Sequence, residues 1–294
     1  MSSLLHPHST HRAQDSAVST PSSTPSPIPA RPRRFLRNLT AVLAAVVVLV
    51  STGTLNIEWN ELPQMPEQVW HYLYLMFSDP DWSKLARALA EMWRSIAMAW
   101  LGAILCVVVS VPLGMCAAGD VGPAWLRSLL RFVFAVIRAF PEVVIAIILL
   151  TVTGLTPFTG ALALGISGIG QQAKWTYEAI ESTPSGTSEA VRAAGGTTAE
   201  VVRWALWPQI APSIASFALY RFEINIRTSA VLGIVGAGGI GSMLANYTNY
   251  RQWDTVGMLL IVVVVATMIV DLISGALRRR IMKGAHTRVV ASDN

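Results

Sequence analysis

The sequence predicts an all-α integral membrane protein with six transmembrane helices. Three observations predict it. Of its 294 residues, 53% are hydrophobic and only 13% charged, whereas a soluble domain carries about a quarter charged residues. The apolar residues gather into uncharged runs of about twenty, enough for a helix to cross a bilayer. Lys and Arg fall in the tails and in alternate short loops, the distribution of segments kept on the inner side. The net charge of +5 is thus a topological signal and implies no nucleic acid.

Each element follows in order. Residues 1–34 are rich in Ser, Thr and Pro and read as a disordered cytoplasmic tail. His6, His8 and His11 stand in that polar tail and are not read as a metal site. Arg31, Arg33, Arg34 and Arg37 precede the first apolar run, which reads as a transmembrane helix over 35–57. A signal peptide has the same basic-then-apolar layout. The long tail in front and the lack of a clear Ala-x-Ala site favour a retained span. Residues 58–89 read as an outer interfacial segment. They hold Glu58, Glu61, Glu67, Asp79 and Asp81 among Trp59, Trp70, Tyr72, Tyr74 and Trp82, a composition suited to the headgroup level. Pro66 and Pro80 each suit the first turn of a helix.

Residues 90–280 form the transmembrane core. The second span covers 95–118 and contains Cys106 and Cys116, which ten helical residues hold about 15 Å apart, too far for a disulfide. Gly119, Gly122 and Pro123 turn the chain on the inner side, marked by Arg127 and Arg131. The third span carries Arg138, Pro141 and Glu142 and ends near 153. Gly154, Pro157 and Gly160 imply a tight outer turn into a fourth span that ends near Lys174. The fifth starts at Pro208 and reaches about 235; the sixth covers 255–277 and closes on Arg278, Arg279 and Arg280. Residues 281–294 read as a cytoplasmic tail. With the N-terminus inside, every basic cluster falls on one side.

The polar loop over 181–207 is the most informative stretch. Thr183 and Pro184 suit a helix start. Glu189, Ala190, Arg192, Ala193 and Ala194 favour a helix, and Gly195-Gly196 ends it. Thr197 and Glu200 fit a capping box, and Pro208 opens the next span. The pattern predicts two short helices meeting at a glycine corner, too polar to enter lipid.

Here the chain resembles the permease subunits of bacterial ABC importers. Their signature is Glu-Ala-Ala, then a Gly, then a Pro about a dozen residues on. Glu189, Ala190, Gly195 and Pro208 match it, while Val191 replaces the second Ala, and Ala205 and Trp207 stand where aliphatic residues are usual. The resemblance implies a type I ABC importer permease core and a cytoplasmic coupling helix. It assigns coupling to Ser188, Glu189, Ala190, Arg192, Ala193, Gly195 and Pro208. It also implies a bacterial inner-membrane protein with both termini cytoplasmic, paired with a second copy of itself. The implied partners are two ATPase subunits, which bind the ATP and Mg, and an external binding protein. No Gly-x-x-x-x-Gly-Lys-Ser/Thr loop occurs, so hydrolysis must come from a partner. The chain itself is expected to bind no cofactor and to catalyse no reaction.

Ionisable residues inside apolar spans usually face a bundle interior or a watery cavity. In the fifth span Arg221 and Asn225 share one face, and Glu223 and Arg227 roughly the opposite one, each pair four residues apart. Glu223 and Arg227 are placed to pair. Arg221 has no acid on its own stripe, which fits an anion or an inter-helix contact. Arg138 and Glu142 are also four apart, with Pro141 loosening the helix between them. All six are candidate substrate-pathway residues; mutual neutralisation between helices is the competing reading.

The stretch from Tyr220 through Arg227 and on from Val231 to Gly241 resembles the phosphonate-type branch of these permeases. That resemblance implies import of a phosphonate or related oxyanion, which guanidinium groups suit. Phosphite, phosphate and methionine stay as alternative substrates, and a secondary transporter as an alternative class. Gly236, Gly238, Gly239 and Gly241 match a dinucleotide fingerprint in spacing. They follow a membrane-length run rather than a strand, so they read as a tight outer loop or gate.

Overall fold

The computed structural model describes residues 34–55, 61–119 and 121–292, with side chains between 38 and 282. The tail before Arg34, its histidines, Glu58 and Trp59 lie outside the described residues. All regular structure among the described residues is helical, in two compact units, one ending at Pro63 and one starting at Gln64.

The first unit contributes α1, Arg34–Thr54. It is an uninterrupted helix whose apolar part, Asn38–Thr54, is shorter than the other candidate spans.

The second unit starts with α2, Met65–Phe77, whose first turn contains Pro66. Pro80 is not in a helical turn as expected; it precedes Asp81, which caps the short turn Trp82–Lys84. The Asp81 carboxylate accepts from the Ser83 amide at 3.0 Å and the Ser83 hydroxyl at 2.5 Å. Hydrogen bonds from Ser83, then from Lys84, lower its pKa to about 2. Trp70, Trp82, Trp93 and Tyr74 are exposed in this region, as an aromatic belt at a bilayer interface requires.

Then come α3 (Leu85–Cys116), α4 (Ala124–Ala139), α5 (Glu142–Thr153) and α6 (Pro157–Glu181). Next are α7 (Gly186–Ala193) and α8 (Thr198–Glu200), and a π-helical turn over Val201–Leu206 leads into α9 (Trp207–Leu232). A second π-helical turn, Gly233–Ala237, precedes α10 (Gly239–Asn249) and α11 (Trp253–Ser292). The final helix thus continues well past the expected end of the sixth span, through the segment read as a tail.

Trp82–Cys116 and Trp253–Met282 are each long and apolar enough to cross a membrane. One expected span is corrected. The third is not one helix, because α4 and α5 meet at 88°. Pro141 cannot donate a backbone hydrogen bond and sits as the extended N-cap of α5. The other bend, of 60°, falls between the segment ending at Ala237 and α10, within the glycine-rich stretch expected after the fifth span, where Gly236 and Gly238 take φ of +114° and +87°.

Helix α6 packs against α3, α4, α5 and α9. Its buried face is built from Gly160, Ala161, Ala163, Gly165, Gly168 and Ala173 among others. Small residues let helices approach without a lipid-facing apolar stripe. A Cβ on Gly102 of α3 would stand 2.8 Å from that of Leu164, and one on Gly114 2.8 Å from that of Thr176. A separate apolar cluster joins α3, α9, α10 and α11 through Met92, Ile226, Ile240, Met258 and Leu259.

Candidate functional site

Helix α7 ends as its glycines predict. The Gly195 amide donates to Arg192 O and the Gly196 amide to Val191 O, both at 2.9 Å, the paired bonds of a Schellman motif. Gly195 has φ +85°, a conformation that costs an L-residue about 1–2 kcal/mol. The Thr197 amide then donates to Glu200 Oε2 at 2.7 Å, and the Glu200 amide donates to Thr197 Oγ1 at 3.4 Å. The capping box is therefore formed. Two boundaries differ from expectation. Helix α7 starts at Gly186 with Ser185 as N-cap, because the Thr183 hydroxyl donates back to Ala179 O at 2.9 Å and closes α6 instead. The second short helix is not separate either, since α8 runs through the π turn into α9. At the π turn the Trp207 amide reaches Val202 O. That offset accommodates Pro208, whose ring would clash with a carbonyl four residues back.

The loop has an inner and an outer side. Ser188 is 5% exposed and Val191 half-buried. Val191 packs on a cluster of Val111, Ala118, Ile180, Val201, Leu206 and Ile210. Gln209 donates to Thr187 Oγ1 at 2.8 Å and to Ala205 O at 2.7 Å, tying α7 to the start of α9. Glu189, Ala190, Arg192 and Ala193 face outward and are exposed, as is Gly195. Of the residues proposed for coupling, Ser188 therefore belongs to the seat of the helix and not to its outer face.

One further cluster supports this loop. Arg131 donates from Nε and Nη2 to Ala117 O at 3.1 and 2.9 Å and pairs with Glu181. Glu181 also accepts from the Gly119 amide at 3.1 Å, and the Arg131 guanidinium lies 4.4 Å from the Tyr177 ring centroid. Sequence reasoning marked Arg131 only as an inner-side charge and passed over Glu181. Their separation of fifty residues leaves no helical-spacing signal to find.

The intramembrane charges pair across helices and not along them. Arg221 is 4% exposed and donates to Glu142 Oε1 at 3.0 Å, with longer contacts to Ser167 Oγ and Leu164 O. Its own Nε has no partner. Glu223 pairs with Arg278 at 2.5 Å, and Arg227 with Asp271 at 3.3 Å. The expected Glu223–Arg227 pair is thus replaced by two bridges to α11, because both side chains lie against it. Arg138 and Glu142 do not meet either. The 88° bend falls between them, so Arg138 donates to Gly170 O at 3.3 Å while Glu142 turns to Arg221. Asn225 is fully buried and donates to Ala99 O at 3.2 Å.

The glycine run makes a tight corner between α9 and α10. Gly239 and Gly241 are already inside α10. A Cβ on Gly241 would stand 1.8 Å from Ala230 O, so only glycine lets α10 fold back on α9. The Ile240 amide donates to Ser95 Oγ at 3.0 Å and fastens the corner to α3.

Residues 110–283 match the family of binding-protein-dependent transport system inner membrane components. The chain belongs to this family. The permease is 35% identical over 201 residues to a phosphite transport system permease protein of Stutzerimonas stutzeri, covering 68% of this chain and 73% of the relative. It is 35% identical over 190 residues to a phosphate-import permease protein of Mycolicibacterium smegmatis, covering 64% and 36%. Its fold is that of the inward-facing MetNI methionine ABC transporter, with a TM-score of 0.62 at 20% identity over 68% of this chain and 99% of that one. The permease is therefore an inner-membrane transport component of an ABC importer and not an enzyme. In ABC importers hydrolysis is the work of a separate ATPase subunit.

Proposed function

We propose that this permease imports a small phosphorus oxyanion, a phosphonate or phosphite or phosphate, by alternating access driven by partner ATPases. The substrate class rests on the relatives. The drive rests on one observation: a short helix seated by Ser188 and Val191 presents Glu189, Ala190, Arg192 and Ala193 to the outside. Two copies form the pore in this reading, because one chain has one such helix and would engage one ATPase. Six crossings with both termini cytoplasmic put that helix on the ATPase side and α10 on the outer side. The ATP and Mg belong to the ATPases, and an external binding protein delivers the ligand.

The geometry suits that work. A push on α7 reaches α9 through Gln209 and the π turn, and reaches α3 through Val191, which packs on the cluster that contains Val111. Helix α9 holds Arg221, Glu223 and Arg227, so its movement changes what those charges face. Arg138, Glu142, Arg221, Glu223, Asn225 and Arg227 then line or brace the pathway, and Gly236, Gly238, Gly239 and Gly241 shape its outer gate.

The test is uptake into proteoliposomes containing the permease, its ATPase and its binding protein. Phosphite, methylphosphonate, inorganic phosphate and methionine are compared. Oxyanion uptake that stops with an ATPase disabled in its phosphate loop supports the reading. Undiminished uptake driven by an ion gradient refutes it, and uptake of methionine alone refutes the substrate class.

A further inference from the structure

A cavity of about 470 Å³ opens beside the Gly238–Gly239 corner. Arg87 and Glu91 of α3 form one wall, and Ser242, Asn246, Tyr250 and Gln252 are among the others. Its charges are unequal. Arg87 is exposed and takes part in none of the ion pairs among the described residues. The Glu91 carboxylate is engaged by Arg94 at 2.6 Å. Lys84 stands behind the wall, paired with Asp81 at 3.0 Å and donating to Gln252 Oε1 at 3.3 Å. That bond uses the acceptor end of the Gln252 amide and leaves its N–H groups available. The uncompensated charge is the Arg87 guanidinium, and Asn246 and Tyr250 add donors beside it.

The position of the cavity matters as much as its charge. Arg87, Glu91, Ser95 and Ala99 follow each other at four-residue steps on one face of α3. Ser95 meets the Ile240 amide, and Ala99 O accepts from Asn225. The cavity therefore stands over the same stripe that leads inward to the charged positions of α9. The twelve residues from Arg87 to Ala99 span about 18 Å of helix, with the glycine corner between.

We propose that this cavity is an entry subsite for a tetrahedral phosphorus oxyanion, with Arg87 as its capturing cation. The proposal rests on the oxyanion reading of the permease and on its α10 end facing outward. Released ligand pauses on Arg87 and the neighbouring amides, above the glycine corner, before it passes along α3. A guanidinium offers such a ligand two parallel N–H donors in a planar fork, a geometry an ammonium lacks.

The experiment measures phosphite and methylphosphonate uptake into proteoliposomes of the full complex carrying Arg87→Lys, Arg87→Gln or Arg87→Glu. Arg87 is exposed, so the variants are expected to assemble. The maximal uptake rate should fall in the order Arg, Lys, Gln, Glu, with Arg87→Gln about tenfold or more below wild type, the loss expected for one hydrogen bond to a charge. The half-saturating concentration of loaded binding protein should stay put. A raised half-saturation with an intact maximal rate would make this a docking surface and overturn the subsite. Arg87→Gln at wild-type uptake also overturns it. A wild-type complex that takes up none of phosphite, methylphosphonate or phosphate refutes the underlying oxyanion reading instead.

Discussion

Breaking the Arg221–Glu142 bridge from its two ends should give unequal losses of stability. Removing one partner of a buried ion pair costs about 3–5 kcal/mol, because the other charge is left uncompensated. The two ends differ in burial. The Arg221 side chain is 5% exposed and that of Glu142 30%. In Glu142→Gln the guanidinium stays buried, with only Ser167 Oγ at 3.3 Å and Leu164 O at 3.4 Å beside a weaker amide acceptor. Its Nε is already without a partner. That variant should lose several kcal/mol. In Arg221→Met the stem is replaced by a side chain of similar reach, and the carboxylate left behind is exposed enough to regain water. Its loss should be smaller, about 1–3 kcal/mol, the desolvation cost of one stranded polar group. Thermal unfolding of the assembled complex in one detergent orders the two, and the double variant closes a mutant cycle. A larger drop in Arg221→Met than in Glu142→Gln, or a coupling energy under about 0.5 kcal/mol, would refute the argument.

Three further outcomes are expected. Gly195→Val places a β-branched residue at φ +85°, where its Cβ meets no other atom, so the loss comes from backbone conformation alone. Transport per ATP hydrolysed should fall while the complex still assembles, and unchanged coupling would remove this helix from the drive. Arg131→Gln should loosen the contact between Ala117 and Glu181 and lower binding-protein-stimulated ATPase activity. Glu181→Gln should do the same, and a wild-type response in both would make the cluster incidental. Arg221→Ala should reduce uptake more than Arg227→Ala, since the Arg227 side chain is 60% exposed and its partner Asp271 44%; equal losses would favour one shared structural network.

What was legible in the sequence was local. The Gly195 corner and the Thr197–Glu200 box each depend on a few neighbouring residues, and each is readable there. The pairings that differ depend on distant partners. Helical spacing offered Glu223 and Arg227 to each other, but Asp271 and Arg278 of α11 stand nearer in space. Spacing likewise joined Arg138 to Glu142 on the assumption of one straight helix. Proline gave a reason for a break there but not its 88° size, which depends on how α4 and α5 each pack on α6. The seating of Ser188 is equally hidden, because a polar helix of about two turns does not declare which side another helix covers.

The distribution of these bridges singles out α9. Each of the three intramembrane ion pairs has one end on α9, and the other ends lie on α5 and α11. Helix α9 is also the helix that the π turn connects to α7, and the one that the glycine corner releases into α10. A helix locked at one end only would bend under a push from α7 and dissipate it. Helix α9 is held along its middle by charge pairs, and those can exchange partners at less cost than a packed apolar face can slide. Its two non-α turns, at Val201–Leu206 and Gly233–Ala237, flank that held segment on both sides. The ion-paired segment of α9 thus lies between two departures from α-helical geometry, one next to α7 and α8 and one next to the Gly238–Gly239 corner.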